Sequence, residues 1–188
     1  MSPKNWNLQL CNQLNNMKKE PKVFENYPLW IVFITVLQNL IIYAAGAYLL
    51  FKIWLIWGII YILYILFLEI YTRKEGCVSC CYYNKRCAFG RGKIAGLLFK
   101  KEDPQKFCKK QVTFLKLIPH ILVFLIPVVA GVFLLIQSFN WIILILTLIP
   151  VFSWFVGNQL VYGKLACPHC AQGRICCPAN AFFGKKNE

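Results

Sequence analysis

Acidic side chains are scarce in this chain of 188 residues, with seven Asp and Glu against 21 Lys and Arg. Histidine is scarcer still: His120 and His169 are the only two. These shortages exclude chemistry. No Ser-His-Asp set, no carboxylate pair in a plausible pocket and no nucleotide fingerprint can be assembled, so hydrolytic and nucleotide-driven enzymes have no footing. Two isolated histidines also give no pair to ligate a haem. Charged residues of either sign make up only 15% of the chain while 59% are apolar, a balance that a soluble domain of this size does not carry on its surface. The composition is that of a membrane protein.

What is present is a set of long charge-free runs. Leu29 to Phe51 is uncharged, as is Ile53 to Leu68, which closes at Glu69. Between Lys116 and Lys164 lie 47 uncharged residues, too many for one crossing at roughly 20 residues per span. The polar group Gln137, Ser138 and Asn140 marks the turn within this run, which predicts a third helix from Leu117 to Ile136 and a fourth from Trp141 to Tyr162. Basic residues then set the orientation. Four precede residue 29, twelve lie from Arg73 to Lys116 and four follow from Lys164, leaving Lys52 alone on the other side. By the positive-inside rule both termini and the central loop are expected in the cytoplasm, and the protein is expected to be a multi-pass protein of the cell membrane. The first 28 residues lack an apolar core, so no cleavable signal is expected. The expected organisation is a tail over 1–28, in which Trp6, Leu8, Leu10 and Leu14 suit a short interfacial helix. A first transmembrane hairpin follows over 29–72, then a basic loop over 73–116, a second hairpin over 117–162 and a terminal arm over 163–188.

An offset of 90 residues brings Cys77, Cys80 and Cys87 onto Cys167, Cys170 and Cys177. Each half thus carries C-x2-C-x6-C shortly after its second span. With smaller shifts, Leu97 to Lys101 aligns with the segment from Ala181 to Lys186, and Ala45-Gly46 with Ala130-Gly131, small residues that let helices approach closely. The fold expected is all-α: four transmembrane helices in two tandem hairpins, each followed by a cytoplasmic cysteine-rich knuckle, related by a pseudo-twofold axis along the membrane normal.

Cytoplasmic thiols are kept reduced, so ligation of metal explains these cysteines better than a disulfide framework. The candidate ligands are Cys77, Cys80 and Cys87 in the first arm and Cys167, Cys170 and Cys177 in the second. Cys81 or Cys108 would complete the first set and Cys176 or His169 the second, unless the two C-x2-C pairs share one ion. Zinc is the expected metal, since it accepts four thiolates, or three with an imidazole, in short loops that lack a core of their own. An iron–sulfur cluster is the alternative: Cys177-Pro178 resembles the cysteine-proline that closes bacterial ferredoxin motifs, although the C-x2-C-x2-C run is absent. Free redox thiols are a third reading, because Cys167-Pro168-His169-Cys170 has the C-P-H-C form of some thioredoxin-like oxidases. Cys11 reads as an ordinary thiol in a polar tail.

The basic loop is expected to meet anionic lipid headgroups, at around 1 kcal/mol per basic residue, and nucleic acid is not expected as a partner. Gln38, Asn39, His120, Asn158 and Gln159 lie within spans and read first as interhelical hydrogen-bonding groups. Pro127 and Pro150 each free a helix carbonyl. The expected function is that of a non-catalytic accessory or scaffold subunit meeting other membrane subunits or copies of itself. A membrane redox protein is the rival, and a small transporter using His120 and Asn158 a weaker one.

Overall fold

The computed structural model describes residues 23–109 and 114–177. The expected interfacial helix of the tail, Cys11, Pro178 and the repeated segment from Ala181 to Lys186 lie outside them. The described residues are helical, and none forms a strand. Four helical stretches are long and apolar enough to cross a membrane: Leu29–Ile53, Leu55–Ser79, Lys116–Gln137 and Trp141–His169. We label the helices α1 (Leu29–Ile53), α2 (Leu55–Glu75), α3 (Arg91–Leu98), α4 (Gln105–Lys109), α5 (Phe114–Gln137) and α6 (Trp141–Phe152).

Two helices run further than the charge pattern predicts. Glu69 does not end α2, because the Tyr43 hydroxyl of α1 donates to its Oε1 at 2.8 Å and satisfies the carboxylate inside the helix pair. The fourth span continues past Tyr162 through two π-helical stretches, Ser153–Gly157 and Val161–Ala166, on either side of the single turn Asn158–Leu160. Pro150, which brings no N–H to the helical ladder, lies three residues before the first of them. The turn between α5 and α6 falls where the polar group predicts. Asn140 caps α6, its side-chain oxygen accepting from the Ile142 N–H at 2.8 Å.

The described residues form two compact units. One comes from within Met1–Thr35, Thr72–Gln111 and Gln159–Glu188, the other from within Val36–Tyr71 and Val112–Asn158. In the second unit, Leu50, Tyr61, Ile65 and Ala130 make one buried cluster and Leu49, Leu134 and Ile143 another. The two small residues singled out by the repeat sit at close approaches: Gly46 lies under the Tyr61 ring and Pro127, and Gly131 under the Thr147 side chain. Helix α5 and helix α6 pack along one another at this point.

Tyr61 solves a problem that Pro127 creates. In a regular helix the Val123 carbonyl would accept from the N–H of residue 127, which proline lacks. Here the Tyr61 hydroxyl donates to that carbonyl at 2.9 Å. A carbonyl left without a donor in an apolar surround costs about 1–3 kcal/mol. Tyr61→Phe should therefore lower the thermal stability of the purified protein by about that amount, read as the shift in helix melting in detergent. An unchanged melting curve would show that the carbonyl finds another donor.

Candidate metal centre

The cysteine arms lie in the first unit, and the repeat seen in their sequence recurs in their backbone. After α2 the chain makes a 3-10 turn over Cys77–Ser79, and the Cys80 N–H donates to the Cys77 carbonyl at 3.3 Å. Ninety residues on, the turn Cys167–His169 is followed by the same bond from Cys170 to Cys167 at 3.2 Å. Both turns end in extended backbone, Cys80 at φ −85° and Cys170 at φ −88°. Each C-x2-C pair is thus carried on one tight turn, which suits two thiolates on a single ion.

The two arms also hold each other. The Cys81 N–H donates to Gln172 Oε1 at 2.9 Å, and the Ala171 N–H donates to the Tyr82 hydroxyl oxygen at 3.1 Å. Positions 81 and 171 correspond in the repeat, as do 82 and 172, so each arm gives the same backbone N–H to the same side-chain position of the other. Tyr82 passes its own proton to the Phe24 carbonyl at 2.7 Å. Gln172, only 3% exposed, accepts through its backbone carbonyl from the N–H groups of Cys176 and Cys177.

Cys80, Cys81, Cys87 and Cys170 pack against one shared core of Val23, Tyr27, Ile31, Tyr82, Ala88, Ala166 and Ala171. Burial pushes the Cys80 thiol up; a backbone hydrogen bond from Tyr82 opposes this, and the neighbouring Cys170, Cys77 and Cys87 add to it. Burial likewise raises Cys170, against backbone hydrogen bonds from Gly173 and Gln172, with Cys177 and Cys87 adding. A thiolate at either position needs a positive charge beside it, which a bound metal supplies. Reactive cysteines for thiol exchange sit instead in electropositive, partly exposed sites where the thiolate is favoured.

The remaining candidates fare differently. Cys108 and Cys176 are joined by a disulfide, S–S 2.03 Å, so neither has a thiolate to offer while that bond stands. This corrects the expectation of fully reduced cysteines for that pair: residues distant in sequence are brought to a Cα–Cα distance of 5.2 Å, within bonding range. The seven other described cysteines stand outside this disulfide. His169 packs its ring on Phe24, centroids 4.7 Å apart, and its carbonyl accepts from the Phe24 N–H at 3.2 Å. Among the described residues no three His, Cys, Asp or Glu side chains are grouped so that they could hold a metal ion. Alkylation of denatured protein should gain two labels after reduction, at Cys108 and Cys176. No gain would return both to the pool of ligands.

Sequence reasoning missed the residues that build this unit. Tyr27 is buried to 1% exposure, takes the Arg86 carbonyl with its N–H at 2.9 Å and the Ala166 carbonyl with its hydroxyl at 2.6 Å. Thr35, within the first span, donates to the Ala88 carbonyl. Gly92 gives its N–H to Cys87 Sγ at 3.3 Å and accepts from the Asn84 N–H at 3.0 Å. The available signals were a tyrosine two residues before a span and a glycine within a basic loop, neither of which names a partner.

The chain matches no family model, no curated protein and no solved structure. Its function is read from its own residues.

Proposed function

We propose that this is a non-catalytic subunit of a larger membrane assembly, in which two tandem hairpins carry duplicated cytoplasmic cysteine arms that bind zinc. The observation that carries the reading is the reciprocal pair of hydrogen bonds, Cys81 to Gln172 and Ala171 to Tyr82. A pseudo-twofold relation along the membrane normal accounts for that reciprocity, because an even number of spans per repeat inserts both copies in the same sense. Zinc fits the donor chemistry: soft thiolates on paired tight turns. The positive charge excess of the 73–116 loop supports a cytoplasmic placement and contact with anionic headgroups. The spans themselves present large apolar side chains outward, among them Trp141 at 70% and Ile136 at 80% exposure, which suit neighbouring helices as well as lipid.

Elemental analysis of protein purified without oxygen or chelators tests the metal. Zinc at one or two per chain with no visible absorbance supports the reading. Iron with sulfide and a broad visible band would instead make this an electron carrier, and no metal at all would leave the arms as purely packed structure. The scaffold role is tested separately by native purification: a single small monodisperse particle without partners would count against it.

A further inference from the structure

Helix α3 turns its small residues inward and its large apolar ones outward. Gly92 and Ala95 are buried, and Gly92 and Gly96 lie against residues 82–85. The other face carries Ile94, Leu97 and Leu98 at 41%, 84% and 60% exposure, with the exposed Lys93 beside them. At 3.6 residues per turn these four positions form one contiguous stripe. Leu97 is more exposed than any other large apolar side chain among the described residues, those of the spans included. Between α2 and α5 no other described large apolar residue is exposed, so the apolar surface of the loop is concentrated on this one helix.

We infer that α3 is a membrane-inserting anchor, in which Ile94, Leu97 and Leu98 enter the acyl boundary of the leaflet while Lys93, Lys100 and Lys101 meet anionic headgroups. The inference rests on the reading that the spans cross a bilayer and that the basic loop meets its headgroups; it names the element and the residues that enter the lipid.

The first ground is depth. Thr35 lies six residues into α1, about 9 Å along its axis at 1.5 Å per residue, and its hydroxyl donates to the Ala88 carbonyl. Phe89 packs on Tyr162 of the fourth span, ring centroids 4.9 Å apart. Gly90 then caps α3. The helix thus starts directly after two contacts with the bodies of spans, within the roughly 5–10 Å over which interfacial helices bury their apolar face.

The second ground is charge. From Arg91 to Lys101 there are four basic residues and no acidic one. The Tyr83 hydroxyl donates to the Phe99 carbonyl at 2.7 Å, and the Glu102 N–H donates to the Val78 carbonyl at 3.0 Å. The exposed Lys100 and Lys101 lie between these two fixed points. Of the acidic residues that follow, Glu102 is paired with Lys106 at 3.2 Å. A large apolar stripe flanked by lysines matches the boundary between acyl chains and anionic headgroups, and the contacts with α1 and the fourth span bring it there without any further partner.

The test uses the full chain in vesicles of phosphatidylcholine and phosphatidylserine, with Leu97 replaced by the photoreactive benzoylphenylalanine. Its exposure lets the replacement leave the fold intact. After illumination, mass spectrometry should find lipid adducts at 97 at least tenfold above those from the same probe at Lys106, whose side chain is 65% exposed. Lys100→Gln combined with Lys101→Gln should lower the phosphatidylserine share of the adducts several-fold. Adducts to protein at 97, adducts no more frequent than at 106, or an unchanged phosphatidylserine share would overturn the anchor. The probe at Leu63, 60% exposed on α2, separates the two levels of the argument. Lipid adducts at 63 without any at 97 would sink the anchor and leave the spans standing, whereas none at 63 would overturn the membrane reading and the anchor with it.

Discussion

Replacing Gly92 with alanine should dismantle the first arm and with it the proposed metal binding. A Cβ at this position would run into the Tyr82 carbonyl oxygen and stand 2.5 Å from that of Lys85. Both obstacles are backbone, and neither can rotate away. The loop around them is already tightly wound, with Asn84 at φ 59° and Gly90 at φ 68°. Helix propensity argues the other way, since alanine within a helix is favoured over glycine by about 1 kcal/mol. Overpacking against rigid atoms costs about 1–3 kcal/mol or more, so the clash decides the sign. The damage also reaches the chemistry directly, because the Gly92 N–H holds Cys87 Sγ and its carbonyl receives the Asn84 N–H. Bound metal and melting temperature should fall together. Gly163→Ala is the matched control: the nearest atom to the added carbon, Gln159 Oε1, is 3.9 Å away, an ordinary contact, and little change is expected. Normal metal content in the Gly92 variant would show that Cys87 and its loop are dispensable.

Tyr27→Ala is expected to be the most destabilising single truncation in the first unit, at roughly 3–5 kcal/mol, the range for removing a buried aromatic side chain. The ring is fully enclosed, edge-on to Phe24 at 5.4 Å and tilted against Tyr82 at 5.5 Å. Its hydroxyl serves the Ala166 carbonyl, just before the second cysteine turn, while its backbone N–H serves Arg86, just before Cys87. One residue ahead of the first span thus ties both arms together. Tyr27→Phe separates the two contributions, because it keeps the ring and removes only the hydroxyl, for about 1–2 kcal/mol. Thermal unfolding of the three proteins gives the comparison. If Tyr27→Ala melts within a degree or two of the wild type, the segment before α1 does not organise the arms.

The spans were legible because charge is so costly in hydrocarbon that its absence over 20 residues has few other meanings. The Cys77 and Cys167 repeats were legible because identical spacing survives in the sequence whatever surrounds it. Glu69 misled the boundary of α2, since its acceptability depends on a tyrosine 26 positions away. Gln172 carried no signal at all: an amide in an arm of glycine and alanine reads as solvated until Cys81 is placed beside it. The π-helical stretches after Pro150 and the Cys108–Cys176 bond likewise depend on three-dimensional neighbours that no local pattern encodes.

That bond constrains the path of the chain as well as its chemistry. Cys108 and Cys176 are 68 positions apart, and the segment between them contains the third and fourth apolar spans. Together with the bond, that segment forms a closed covalent ring that contains both helices. A protease that cuts the turn at 138–140 opens the ring without releasing a fragment, and the two pieces part only when a reductant follows.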